Sequence, residues 1–120
     1  IFMADSSLRD KAKRFATEIV FACRAMKINK KESVLINQLL RSATSIGANI
    51  HEAQYAQGKK DFVSKLEIAL KESNETSYWL KLMFETNRID NATYQHTEKL
   101  CGNIRRLLIA SCKTAKENAK

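Results

Sequence analysis

The sequence predicts an all-α protein, an antiparallel up-down-up-down four-helix bundle. Three observations carry this expectation. The 120 residues contain no proline and only three glycines, which favours long unbroken helices. Apolar residues recur at three- and four-residue intervals through four stretches of roughly 22–28 residues, the period of a one-sided helix. The joints between those stretches are short and hold turn and capping residues, so successive helices fold back on one another within a single domain.

The first helix is expected over about 7–28. Ser7 followed by Asp10 resembles a capping box, and Leu8, Ala12, Phe15, Ile19, Ala22, Cys23 and Met26 then share one face. Arg9, Lys13, Arg24 and Lys27 gather on one side of that seam. Phe21 projects away from it, as an ordinary exposed aromatic or a subunit contact would.

Asn29 with Glu32 marks a second start, and a helix over about 30–57 is expected to stop at Gly58. Its centre, QLLRSATSIGANIHE (38–52), organises the chain. Leu35, Leu39, Ser42, Ile46, Ile50 and Ala53 form the seam, while Ile36, Leu40, Ala43 and Gly47 widen the apolar arc to roughly 160°, beyond the ~100° of a simple surface helix. So wide an arc should touch more than one neighbour. Ala43 and Gly47, four apart, remove bulk and predict a close helix approach. A polar stripe of Gln38, Arg41, Ser45, Asn49 and Glu52 runs about a quarter-turn away.

The third helix is expected over about 60–86, with Phe62, Leu66, Ala69, Ser73, Thr76, Leu80 and Met83 inward and a mixed stripe of Ile68, Glu72, Glu75, Trp79 and Leu82. Arg41 and Glu52 lie eleven residues apart, about 16 Å along one helix, so each needs a partner on another element. Arg41 is expected to reach Glu72 or Glu75, with Trp79 covering the pair.

Asn87–Asp90 makes a turn, Asp90 serves as cap, and the fourth helix is expected over about 91–116. Leu100, Cys101, Ile104, Leu107, Leu108, Ser111, Cys112 and Ala115 face inward. Lys99, Arg106, Lys113 and Lys120, spaced by seven, line the outer face with Arg105 and Lys116 beside them. Only Ile109 interleaves this line, so it suits phosphates and gives no platform for stacked bases.

The net charge of +8 is uneven. Residues 1–30 and 91–120 each carry +4, and the middle of the chain is balanced. Basic terminal helices on a neutral core point to nucleic acid or another polyanion, the alternative being a solubilising face. Cys23, Cys101 and Cys112 are odd in number, lack C-x-x-C spacing and fall on apolar faces, as small buried hydrophobes of a reducing, cytoplasmic compartment do. No apolar run approaches a membrane span, and no signal-peptide core opens the chain.

Catalytic patterns are absent from the sequence. His51 and His96 have no metal-ligand spacing, since position 55 is tyrosine and position 93 threonine. Glu72 and Glu75 are close enough to share a proton or metal, but an ion pair with a cation is the simpler use of them. The expectation is a non-enzymatic protein with no metal and no cofactor.

The blocks QLLRSATSIGANIHE (38–52), AQYAQGKKDFVSK (53–65) and LEIALKESNETSYWLKL (66–82) strongly resemble the four-helix-bundle proteins named for a reading frame in an intervening sequence of bacterial large-subunit ribosomal RNA genes. The most specific part combines Arg41, Ser45, Ile46, Asn49 and Glu52 with Glu75, Thr76, Trp79 and Leu80. Ala43 stands where glycine is frequent, and His51 fills a variable slot. The resemblance implies one antiparallel bundle without established catalysis. It also implies a homo-oligomer, a ring of five as in the similar accessory protein of diversity-generating retroelements, which is basic and works with a reverse transcriptase and RNA. The combined expectation is a basic oligomeric module that binds RNA or DNA backbones through its first and last helices. The alternative is an assembly scaffold that meets a protein partner with the same faces.

Overall fold

The computed structural model describes residues 6–26 and 33–118. They form four α-helices: α1 (Ser6–Met26), α2 (Ser33–Ala53), α3 (Lys59–Glu85) and α4 (Asn91–Asn118). Each packs on the next and α4 returns to α1, closing an antiparallel up-down-up-down four-helix bundle that measures 50 × 21 × 19 Å. Among the four neighbouring pairs the contact is largest between α2 and α3 and smallest between α1 and α4. The start signal at Asn29 and Glu32 and the cation Lys27 lie outside the described residues.

The core follows the helical period. Leu8, Ala12, Phe15, Ile19 and Cys23 of α1 are buried, as are Leu39, Ala43, Ile46, Ile50 and Ala53 of α2. On α3 the buried positions are the expected seven: Phe62, Leu66, Ala69, Ser73, Thr76, Leu80 and Met83. On α4, Cys101, Ile104, Leu108 and Cys112 are buried, joined by Thr97 and Gly102, which hydrophobic patterning alone passed over. Buried hydroxyls among the α2 and α3 seams satisfy one another. Thr76 Oγ1 donates to Ser42 Oγ at 3.0 Å, and Ser42 Oγ donates to the Leu39 carbonyl at 3.2 Å.

The α2–α3 joint differs from expectation. Helix α2 stops at Ala53, not at residue 57. The amides of Gln54, Tyr55 and Ala56 bond to carbonyls three residues back, tightening the chain out of the helix before Gly58 is reached. Gly58 is extended and caps the start of α3, and its carbonyl accepts the Phe62 amide at 2.9 Å. Asp61 in that first turn accepts the Gln57 amide and places negative charge at a helix N-terminus.

The α3–α4 joint is a Schellman turn. Asn87 adopts φ 63°, its amide bonds to the Phe84 carbonyl, and the Arg88 amide bonds to the Met83 carbonyl at 2.8 Å. Asparagine tolerates this left-handed backbone better than most side chains. Asp90 then caps α4, accepting the Thr93 amide at 2.7 Å. The rings of Phe84 and Tyr94 stack across the turn at 4.5 Å.

Candidate functional site

Two surfaces carry the sequence-selected residues, and they differ in how their charges are used. The first lies along α2 and α3. Arg41, which is about half exposed, extends over the gap between the helices. Its Nη1 bonds to Glu72 Oε2 at 3.2 Å, its Nη2 to Glu75 Oε2, and its Nε to Gln38 Oε1 at 3.3 Å. Partial burial disfavours the guanidinium's charge, but the two carboxylates outweigh it and hold its pKa above the usual arginine value. Both carboxylates are therefore engaged by one cation, an ion pair and not a free acid–base dyad.

Glu52 pairs with Lys65 at 3.3 Å, and Asn49 Nδ2 donates to the Ser45 carbonyl at 2.8 Å. Trp79 packs partly into the core and meets Tyr78 edge-on at 5.0 Å. Among the described residues its buried Nε1 has no acceptor. Val34, Ile68 and Tyr78 are exposed apolar side chains on these two helices.

The second surface is basic. Lys99, Arg106 and Lys113 are exposed on α4, with Arg106 held by Asn103. Two expected members of this line are instead tied to α3. Arg105 is only 25% exposed: it donates to Ser77 Oγ at 2.6 Å and pairs with Glu98 at 3.3 Å. Lys116 pairs with Glu67 at 3.2 Å. Arg105 faces the flank toward α3 where Glu98, two turns earlier on the same strip, supplies its counter-charge. On α1, Lys13 and Arg24 are exposed, Arg24 lying 5.6 Å over the Phe21 ring. Arg9 reaches Gln54 Oε1 at 3.4 Å and Asp10 at 3.8 Å.

Between α1 and α2 the surface opens into a groove of about 440 Å³ lined by Arg9, Asp10, Lys13, Ala16, Thr44, Gly47, Ala48 and His51. Patterning did not reveal it, because small residues on two facing helices signal close packing and a surface hollow alike. A contact between His96 Nε2 and Glu18 Oε1 at 2.8 Å, joining α4 to α1, also carried no local signal, since its members are 78 residues apart.

Cys23, Cys101 and Cys112 are buried as thiols, not joined in disulfides. Burial pushes the Cys101 thiol up to about 11, and burial also raises Cys112. Among the described residues no cluster of three His, Cys, Asp or Glu side chains is arranged to hold a metal ion, and no helix is long and apolar enough to cross a membrane.

The sequence profile described as 23S rRNA-intervening sequence protein matches residues 4–110. The chain belongs to that family. A solved structure, that of a protein of unknown function from the S23 ribosomal protein family of Bacteroides thetaiotaomicron, is 45% identical. The match covers 92% of this chain and 99% of that one, with a TM-score of 0.88. No curated protein matches the chain. The Arg41 to Glu52 and Glu75 to Leu80 blocks lie within the matched span.

Proposed function

We propose that this protein is a non-enzymatic, basic, oligomeric helical module of the cytoplasm that binds the phosphate backbone of RNA or DNA through α1 and α4. The observation that carries the reading is the α4 line. Lys99, Arg106 and Lys113 are exposed, stand about 10.5 Å apart along the axis, and among the described residues meet no carboxylate. Arg9, Lys13 and Arg24 add charge on α1, whereas Arg105 and Lys116 are spent on α3 and contribute less.

Three such cations on phosphates predict a slope of log affinity against log salt of roughly −2 to −3. The test is fluorescence anisotropy of labelled RNA at several salt concentrations, for the parent and for a variant with Lys99, Arg106 and Lys113 all changed to Gln. The variant should bind weakly and lose most of that slope. Binding that is absent in the parent, or indifferent to salt, refutes the reading.

A second reading, an assembly scaffold, is favoured by the α2–α3 surface. There the carboxylates Glu52, Glu72 and Glu75 are matched by Lys65 and Arg41, so copies of a +8 chain could meet on it without strong repulsion. Exposed Val34, Ile68 and Tyr78 supply apolar area. The resemblance leads us to propose a ring of five. Native mass spectrometry should return a pentamer that Tyr78→Glu disperses, and a monomer at all concentrations refutes this part.

A further inference from the structure

The α1–α2 groove has features that the α4 line lacks. Its floor is built from Gly47 and Ala48, so an incoming chain meets little side-chain bulk. Its α1 edge carries Arg9 and Lys13, one turn apart. Asp10 shares that edge, 3.8 Å from the Arg9 guanidinium, leaving the edge net positive by one charge. At one end lies His51, whose ring centroid is 5.2 Å from that of Tyr55. Tyr55 is 73% exposed, an aromatic ring turned to water beside a basic slot. Cations along a groove with an aromatic platform at its end form the recognition chemistry of unpaired nucleic acid, in which phosphates meet charge and a base stacks on a ring.

Size selects the strand type. At about 440 Å³ the groove is at the lower end of ligand pockets, enough for a nucleotide-length segment and too small for a duplex. A paired base also keeps its faces stacked in the helix and cannot lie on Tyr55. We propose that the α1–α2 groove binds single-stranded nucleic acid, with a sugar-phosphate unit between Arg9 and Lys13 over the Gly47–Ala48 floor and its base on the Tyr55 ring, to which His51 is inclined at 55°. This rests on the polyanion reading above and deepens it by assigning strand type and a second contact surface.

The test uses fluorescence anisotropy with one labelled RNA oligonucleotide, presented single-stranded and annealed to its complement. Tyr55→Ala removes the platform, and Ala48→Leu fills the groove without changing charge. Both positions are exposed, so melting temperatures should stay near the parent's. Loss of a stacked base predicts single-strand binding weaker by roughly 5- to 150-fold for Tyr55→Ala, with duplex binding within about twofold of the parent. Ala48→Leu should show the same selectivity. If both variants bind the single strand like the parent while the α4 triple variant does not, the groove assignment fails and the backbone reading stands. If the parent binds neither form, both fail. Displacement by a mononucleotide as effective, per mole, as by the oligonucleotide would assign the groove to a free nucleotide and overturn the strand assignment.

Discussion

Replacing Gly47 by alanine should stabilise the protein, and the sign of the effect discriminates between two accounts of α2. A glycine on an apolar helical arc, four residues from Ala43, invites the inference that any side chain there would force α1 away. Overpacking of that kind costs about 1–3 kcal/mol. The geometry says otherwise. A Cβ built on Gly47 would lie 3.8 Å from the Ala12 carbonyl oxygen and 3.9 Å from its carbon and its Cβ, ordinary van der Waals separations. The backbone change from Gly to Ala within a helix is worth about 0.8–1 kcal/mol. Three new carbon and oxygen contacts add about 0.3–0.6 kcal/mol together.

The expected gain is therefore about 1.1–1.6 kcal/mol. With an unfolding entropy of about 2.1 cal/mol/K per residue over 120 residues, that raises the melting temperature by about 4–6 °C. Far-UV circular dichroism melts and urea titrations measure it, and the urea slope should stay unchanged. Ala43→Leu is the matched control. Ala43 is fully buried, so the added bulk has nowhere to go and should cost about 1–3 kcal/mol. A Gly47→Ala variant that melts below the parent would refute the reasoning and show that α1 and α2 need the hydrogen.

Two further predictions concern pH. The Thr93 amide, bonded to the Asp90 carboxylate, holds that group's pKa below its ordinary 3.8. The unfolded chain then binds the proton more readily, so this contribution to stability is present above about pH 4 and disappears as the pH falls through the folded value. Asp90→Asn, which keeps a capping side chain, should flatten the acid limb of a stability–pH profile, and an unchanged limb counts against the cap. For Cys101 the sign reverses. Burial raises the folded thiol to about 11 from 9.0, so stability is constant below about 9 and declines as the pH climbs toward 11. At neutral pH, Cys101 should be alkylated at a rate that tracks unfolding, and prompt labelling of the native protein would contradict its burial.

What could be read from the sequence was what depends on one helix at a time. The seven inward residues of α3 recur at regular spacing, and nothing beyond that spacing was needed to find them. Asp90 was legible as a cap because capping is a local exchange between one carboxylate and an amide three residues on. The end of α2 was not, because Gly58 serves equally as the stop of one helix or the cap of the next. Which of these it does depends on the amides of residues 54–56, whose bonding partners lie one tight turn back.

Charge was the least legible, for the same reason. A helical wheel ranks Lys99, Arg105, Arg106, Lys113 and Lys116 as neighbours on one outer face, but it cannot show which of them another helix neutralises. Arg105 had a readable hint in Glu98, seven residues earlier on the same flank, yet the hydroxyl that completes the contact, Ser77, comes from α3. Lys116 and Glu67 are 49 residues apart and carry no hint at all. A net +8 is therefore an upper bound on the charge presented to a polyanion, and position decides how much of it acts. The α4 line keeps three cations on a flat face without aromatics, suited to any phosphate backbone. The α1–α2 groove has less charge but adds depth and a ring. Affinity and its salt slope should follow the first surface and discrimination between strand types the second, so the α4 triple variant and Tyr55→Ala should alter binding in separable ways.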